Sequence, residues 1–158
     1  MTDDLGAEQR SLFRRWPAGV SIVIAEVDGV RHGRTVSSLV SLSLDPPLVG
    51  ISVAQSASIH ELLRSADTWA VSILGGGQEE LAQRFSRSGV PPLVLWDGVE
   101  TRDDDPRLID GAAGWLTART VEMIVTGDHT FFVGHVESVE EGRAATTLVY
   151  AYRTYHGL

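Results

Sequence analysis

Three tight-turn signals constrain this chain more than anything else in it. Asp28-Gly29, Gly127-Asp128-His129 and Glu141-Gly142 each separate two segments dense in β-branched and apolar residues. Turns this short join neighbouring strands only as antiparallel pairs. Val20 to Val27 therefore predicts one strand and Val30 to about Leu42 its return. Asp45-Pro46-Pro47 turns the chain again, and Leu48 to Ala54, apolar almost throughout, predicts a central strand. Trp69 to Leu74, Trp115 to Thr126, Thr130 to Glu140 and Thr147 to Tyr155 bring the count to about seven. One further strand, Leu93 to Trp96, is placed within a Gly-, Pro- and Asp-rich excursion over 86–111.

Helices are short. Residues 4–16 predict one, with Leu5, Leu12, Phe13 and Trp16 on an imperfect apolar face and Pro17 ending it. Ser58-Ile59-His60-Glu61 reads as a capping box opening a helix to Ser65. Gln78 to Phe85 predicts another after the break at Gly75-Gly76-Gly77. Seven strands with only short helices exclude a doubly wound parallel sheet. A mainly β, antiparallel barrel within one domain of 158 residues is the expectation.

Absences narrow the chemistry. The chain has no Cys, which excludes disulfides, thiolate nucleophiles and Cys-ligated metals. All 13 basic residues are Arg, so Schiff-base lysines and the P-loop lysine are excluded as well. A net charge of −8 argues against a nucleic-acid partner. The acidic start Met1-Thr2-Asp3-Asp4 lacks a secretory apolar region, and no apolar run is long enough to span a membrane, so a cytoplasmic protein is expected. No His-x-His or His-Glu-x-x-His pair occurs. On one strand His129 and His135 would stand roughly 20 Å apart, so no metal site is expected. There is no Gly-x-Ser-x-Gly elbow and no dinucleotide fingerprint.

What remains is a set of small hydroxyl residues near strand ends. Gly33-Arg34-Thr35-Val36-Ser37-Ser38 and Ser52-Val53-Ala54-Gln55-Ser56-Ala57-Ser58 leave room for a planar ligand to approach the backbone, whose N–H groups can bond its polar edge. A helix start at Ser58 suits a phosphate, and Arg84 near the next helix end offers a bidentate contact to one. The same serines can equally serve only as caps and turns.

Read in order, several stretches resemble the flavin reductase family, the FMN-binding split-barrel reductases of two-component flavin monooxygenases. They are Phe13 to Val20 (FRRWPAGV), Gly33 to Pro47 (GRTVSSLVSLSLDPP), Leu74 with Gln78 to Phe85, Gly127-Asp128-His129, and Tyr150 to Tyr155 (YAYRTY). The resemblance implies a six-stranded antiparallel split barrel with Greek-key character, a homodimer, and FMN near the subunit interface. It implies that Thr35, Val36, Ser37 and Ser38 line the flavin ring, that Ser52 and Ala54 continue that wall, and that Ser58, Arg84, Phe85 and Ser86 surround the phosphate. His129 is similar to the family histidine that reaches the nicotinamide, and Arg153 to a late arginine near the flavin or dinucleotide.

The implied activity is NAD(P)H:flavin oxidoreduction. Hydride passes from the nicotinamide to FMN, with FAD as the alternative flavin and either NADH or NADPH as donor. Such chemistry belongs to the cofactors and requires no protein acid–base pair. Reduced flavin would then diffuse to a partner monooxygenase. Two other readings stay open: a flavoprotein that retains its FMN as an electron carrier or acts on another substrate, and a non-catalytic dimeric flavin-binding module.

Overall fold

The computed structural model of the protein describes residues 4–158; Met1, Thr2 and Asp3 of the acidic start lie outside them. Among the described residues there are ten strands where the sequence pattern predicted about seven: β1 (Ala18–Gly19), β2 (Ser21–Val27), β3 (Val30–Val36), β4 (Val40–Leu44), β5 (Pro47–Ala54), β6 (Thr68–Ile73), β7 (Gly114–Thr126), β8 (His129–Glu141), β9 (Leu148–Ala151) and β10 (Thr154–Gly157). Every ladder is antiparallel. The β2–β3 turn has φ of 51° at Asp28 and 77° at Gly29, as a type I′ hairpin requires.

Seven strands form one sheet in the order β3–β2–β6–β7–β8–β5–β4, where six were expected, and β1–β9–β10 form a second, smaller sheet. The stretch 30–42, expected to be one strand, is two strands at opposite edges of the large sheet. Only Ser37, Ser38 and Leu39 join them. Four extended steps reach about 14 Å, whereas the edges of a flat seven-stranded sheet stand about 29 Å apart. The sheet must therefore roll until its edges nearly meet. Among the described residues no ladder joins β3 to β4, so the roll stays open along that seam.

Rolling gives β2 two buried faces, which is why Ile22, Val23, Ile24 and Ala25 are apolar and buried in succession. Inside, Val23, Val36, Ile51, Val53, Trp69 and Phe132 pack together with Leu63 of the helix α2 (His60–Ser65) and Ile59, its N-cap. Outside, Ile22, Ile24 and Leu74 pack beneath α3 (Glu79–Ser86), α4 (Pro92–Leu95) and the small sheet. At Gly33 a Cβ would lie 2.7 Å from the Phe85 ring, so glycine lets α3 close onto β3.

The remaining differences have local causes. The first helix, α1, spans Leu5–Phe13 rather than 4–16, and Asp4 caps it by accepting from the Ala7 N–H at 3.0 Å. The stretch expected as a strand at 93–96 is instead the helix α4 (Pro92–Leu95) with Trp96 as its C-cap. Pro92 suits the first helical turn, and Leu95 inserts into the outer core. The late strand 147–155 is a hairpin, because Tyr152 and Arg153 both turn with positive φ. The excursion is pinned rather than loose: Arg107 bonds Asp105 and Thr68, and Trp115 Nε1 donates to the Ile109 carbonyl at 2.7 Å. No helix is long and apolar enough to cross a membrane among the described residues.

Candidate functional site

The open seam carries a cavity of about 250 Å³. Three strand segments converge on it. From β3 and the link come Arg34, Thr35, Val36, Ser37 and Ser38; from β5 come Ser52, Val53 and Ala54; from β8 comes His129. Of the residues expected to hold a cofactor, the structure thus brings together Thr35, Val36, Ser37, Ser38, Ser52, Ala54 and His129.

Local bonding explains why they stay together. Ser38 Oγ donates to the Ser52 carbonyl at 3.0 Å and accepts from the Ser52 N–H at 2.9 Å, which ties the link to β5 without a strand ladder. Thr35 Oγ1 donates to the Ala82 carbonyl at 2.6 Å, so α3 holds the end of β3. Ala54 and His129 face each other across the β5–β8 ladder. Beyond them, the Gln55 N–H donates to the Asp128 carbonyl at 2.9 Å and fixes the β7–β8 turn against β5. The backbone of Ser37, Ser38 and Leu39 stands outside every strand ladder, and among the described residues their N–H groups donate to no backbone carbonyl, so they can meet a ligand.

His129 sits at the turn with Nδ1 2.7 Å from Asp128 Oδ1. A carboxylate can only accept, so Nδ1 carries the proton and Nε2 is left for another partner. The same bond holds the Asp128 carboxyl below the ordinary aspartate value. His32, inside the strand that supplies Arg34, donates from Nδ1 to the Gly33 carbonyl at 3.0 Å. Burial pushes its imidazole below the ordinary histidine value, with the Arg34 charge acting in the same direction.

Five expected positions lie elsewhere. Ser58 is exposed in the turn before α2 and makes no cap; Ile59 occupies the cap position with helical angles, so the capping box does not form. Arg84 Nη1 donates to the Asp97 carbonyl at 2.6 Å, its Nη2 meets Glu80 at 3.3 Å, and it lines a separate cavity beside 98–100. Phe85 is buried in the outer core, edge-on to Trp96 with ring centroids 5.1 Å apart. Ser86 Oγ closes the helix end by donating to the Gln83 carbonyl. Arg153 is exposed in the β9–β10 turn. Two lining residues, Arg34 and Val53, lie within the stretches expected to admit a planar ligand, but the resemblance gave neither a contact. Both adjoin expected residues, and the period-two pattern alone does not show that the seam brings both strand faces to one cavity. No cluster of His, Asp and Glu suited to a metal ion occurs among the described residues.

Residues 13–158 match the family model described as flavin reductase like domain. An NADH:FMN oxidoreductase of Rhodococcus qingshengii is 32% identical over 156 residues, covering 94% of this chain and 80% of its own. The reductase component of a 4-hydroxyphenylacetate 3-monooxygenase from Thermus thermophilus is 33% identical over 149 residues, covering 94% of each chain. A solved NADH:FAD oxidoreductase from Streptomyces globisporus superposes with a TM-score of 0.87 at 31% identity, covering 99% of this chain and 94% of its own.

Proposed function

This chain belongs to the flavin reductase-like family, and we propose from that premise that it is an NAD(P)H:flavin oxidoreductase supplying reduced flavin to a separate monooxygenase. The observation that carries the reading is the seam cavity, where small side chains and free backbone N–H groups at 37–39 stand opposite His129.

The residues present fit a planar ring with a polar edge. Ser37, Ser38, Ser52 and Ala54 add little bulk, so the main chain can reach such an edge directly. Val36 and Val53 offer apolar contact to the ring body. A bound flavin supplies the two-electron acceptor for the nicotinamide hydride. The chain's part is to hold the two rings face to face, which turns an encounter into a near-attack pair. With Nδ1 committed to Asp128, His129 presents Nε2 to the incoming dinucleotide.

A cavity of about 250 Å³ is smaller than the roughly 300 Å³ at which pockets begin to enclose a drug-sized ligand. One ring face would remain open, as a stacking donor and a departing product both require. In this reading the rolled sheet is the split barrel of the family, the chain is a single cytoplasmic domain, and the working assembly is a homodimer. FMN is the proposed working flavin. The relatives named above divide between FMN and FAD.

Equilibrium titration with FMN, read by quenching of flavin fluorescence, tests the cavity. Micromolar affinity, about −8 kcal/mol, suits a flavin that must leave. Ser52→Trp should abolish binding by filling the wall; unchanged binding in that variant places the flavin elsewhere.

A further inference from the structure

Arg34 differs from Arg31, Arg84 and Arg87 in what its guanidinium meets. Arg31 lies with its guanidinium 3.7 Å above the Trp96 ring and donates to the Pro106 carbonyl. Arg84 is committed to Asp97 and Glu80. Arg87 is exposed beyond α3 and lines no part of the seam cavity. Arg34 is half-buried and lines the same cavity as His129. Among the described residues its guanidinium has neither an ion pair nor a hydrogen bond.

The surroundings sharpen the point. Among the described residues no Asp or Glu lines that cavity, although the chain as a whole carries −8. The ionisable neighbour that feels the Arg34 charge within β3 is another base, His32. Free backbone N–H groups of the link add further donors. A partly desolvated guanidinium with its donors unused is costly unless a ligand brings the anion. Its planar fork matches phosphate oxygens two at a time.

We infer that Arg34 is the specificity residue of this cavity and that its ligand is a phosphate monoester. The inference rests on the flavin reductase reading, which brings two candidate sources to the site. One is the 5′-phosphate of FMN; the other is the 2′-phosphate of NADPH. FAD and NADH carry only the bridging pyrophosphate, and riboflavin carries none. The free Arg34 thus predicts discrimination for FMN over riboflavin, or for the 2′-phosphorylated dinucleotide over the plain one.

The test measures binding, not turnover. FMN and riboflavin are titrated by fluorescence, and NADP+ and NAD+ by calorimetry, against the wild-type chain, Arg34→Met, Arg34→Lys and the exposed control Arg87→Met. Loss of a charge-assisted bidentate contact should cost about tenfold or more. If Arg34→Met weakens FMN by that factor while riboflavin is unchanged, the flavin phosphate is the ligand. If it instead weakens NADP+ and leaves NAD+ alone, the dinucleotide phosphate is. In either case Arg34→Lys should restore part of the loss and Arg87→Met should match wild type. If neither ratio moves in Arg34→Met, or riboflavin is lost along with FMN, the inference is overturned while the reductase reading stands. A wild-type chain that binds no flavin at all overturns that reading, and this inference with it.

Discussion

Ser38 and Ser52 exchange two hydrogen bonds through one hydroxyl, at 3.0 Å to the Ser52 carbonyl and 2.9 Å from the Ser52 N–H. This contact takes the place of a strand ladder at the seam. Ser38→Ala leaves both Ser52 backbone groups without it, and should cost about 1–3 kcal/mol in denaturant unfolding. Flavin affinity should fall in the same variant, because the wall is no longer fixed. Ser37→Ala, with no such bond to lose, should change stability by less than about 0.5 kcal/mol. Equal effects in the two variants would contradict the role given to Ser38.

Gly33 is the close-approach point between β3 and α3. A methyl group there meets Phe85 at 2.7 Å and Ile24 at 3.3 Å, both buried. Gly33→Ala should destabilise by about 1–3 kcal/mol through overpacking. Adding Phe85→Leu removes the obstructing ring, so the double variant should lose less than the sum of the two singles. Additive losses in a double-mutant cycle would place the strain elsewhere.

His129→Ala should raise the KM for the nicotinamide donor by roughly fivefold, corresponding to about 1 kcal/mol. Flavin affinity should stay close to wild type, since the ring wall comes from β3, the link and β5. Steady-state kinetics beside flavin titration make the comparison. Collapse of flavin binding with an unchanged donor KM would reverse the assignment.

His32 gives a pH dependence whose sign follows from burial. Its folded-state pKa lies below the ordinary histidine value, so the unfolded chain takes up the proton first as pH falls. Stability from this group is complete above the unfolded value, about 6.5, and is lost as pH drops below it toward the folded value. His32→Gln should therefore flatten the decline of Tm between neutral pH and about pH 5.5. A decline as steep as wild type would assign acid sensitivity to other groups.

Much of this was legible in the sequence because turn chemistry is local. Asp28-Gly29 fixed one hairpin, and Gly127-Asp128 another, from residues that tolerate positive φ. Small-residue stretches and motif order single out residues on β3, the link, β5 and β8, and these line one cavity. Others were hidden for physical reasons. Ser37, Ser38 and Leu39 read as strand continuation, because nothing local says that the chain crosses a seam there. Leu93 to Trp96 has strand-like residues, but Pro92 and the burial of Leu95 favour a helical turn. Nothing in the sequence shows that the Arg84 guanidinium donates to the carbonyl of Asp97 in the excursion. That contact spans 13 residues and leaves no mark in either segment.

The most direct test of the central claim is NADH and NADPH oxidation by dialysed protein, with and without added FMN. The account predicts little oxidation without flavin and a rate that rises steeply with added FMN until it saturates. A protein that binds flavin yet oxidises neither dinucleotide at any flavin concentration would contradict it.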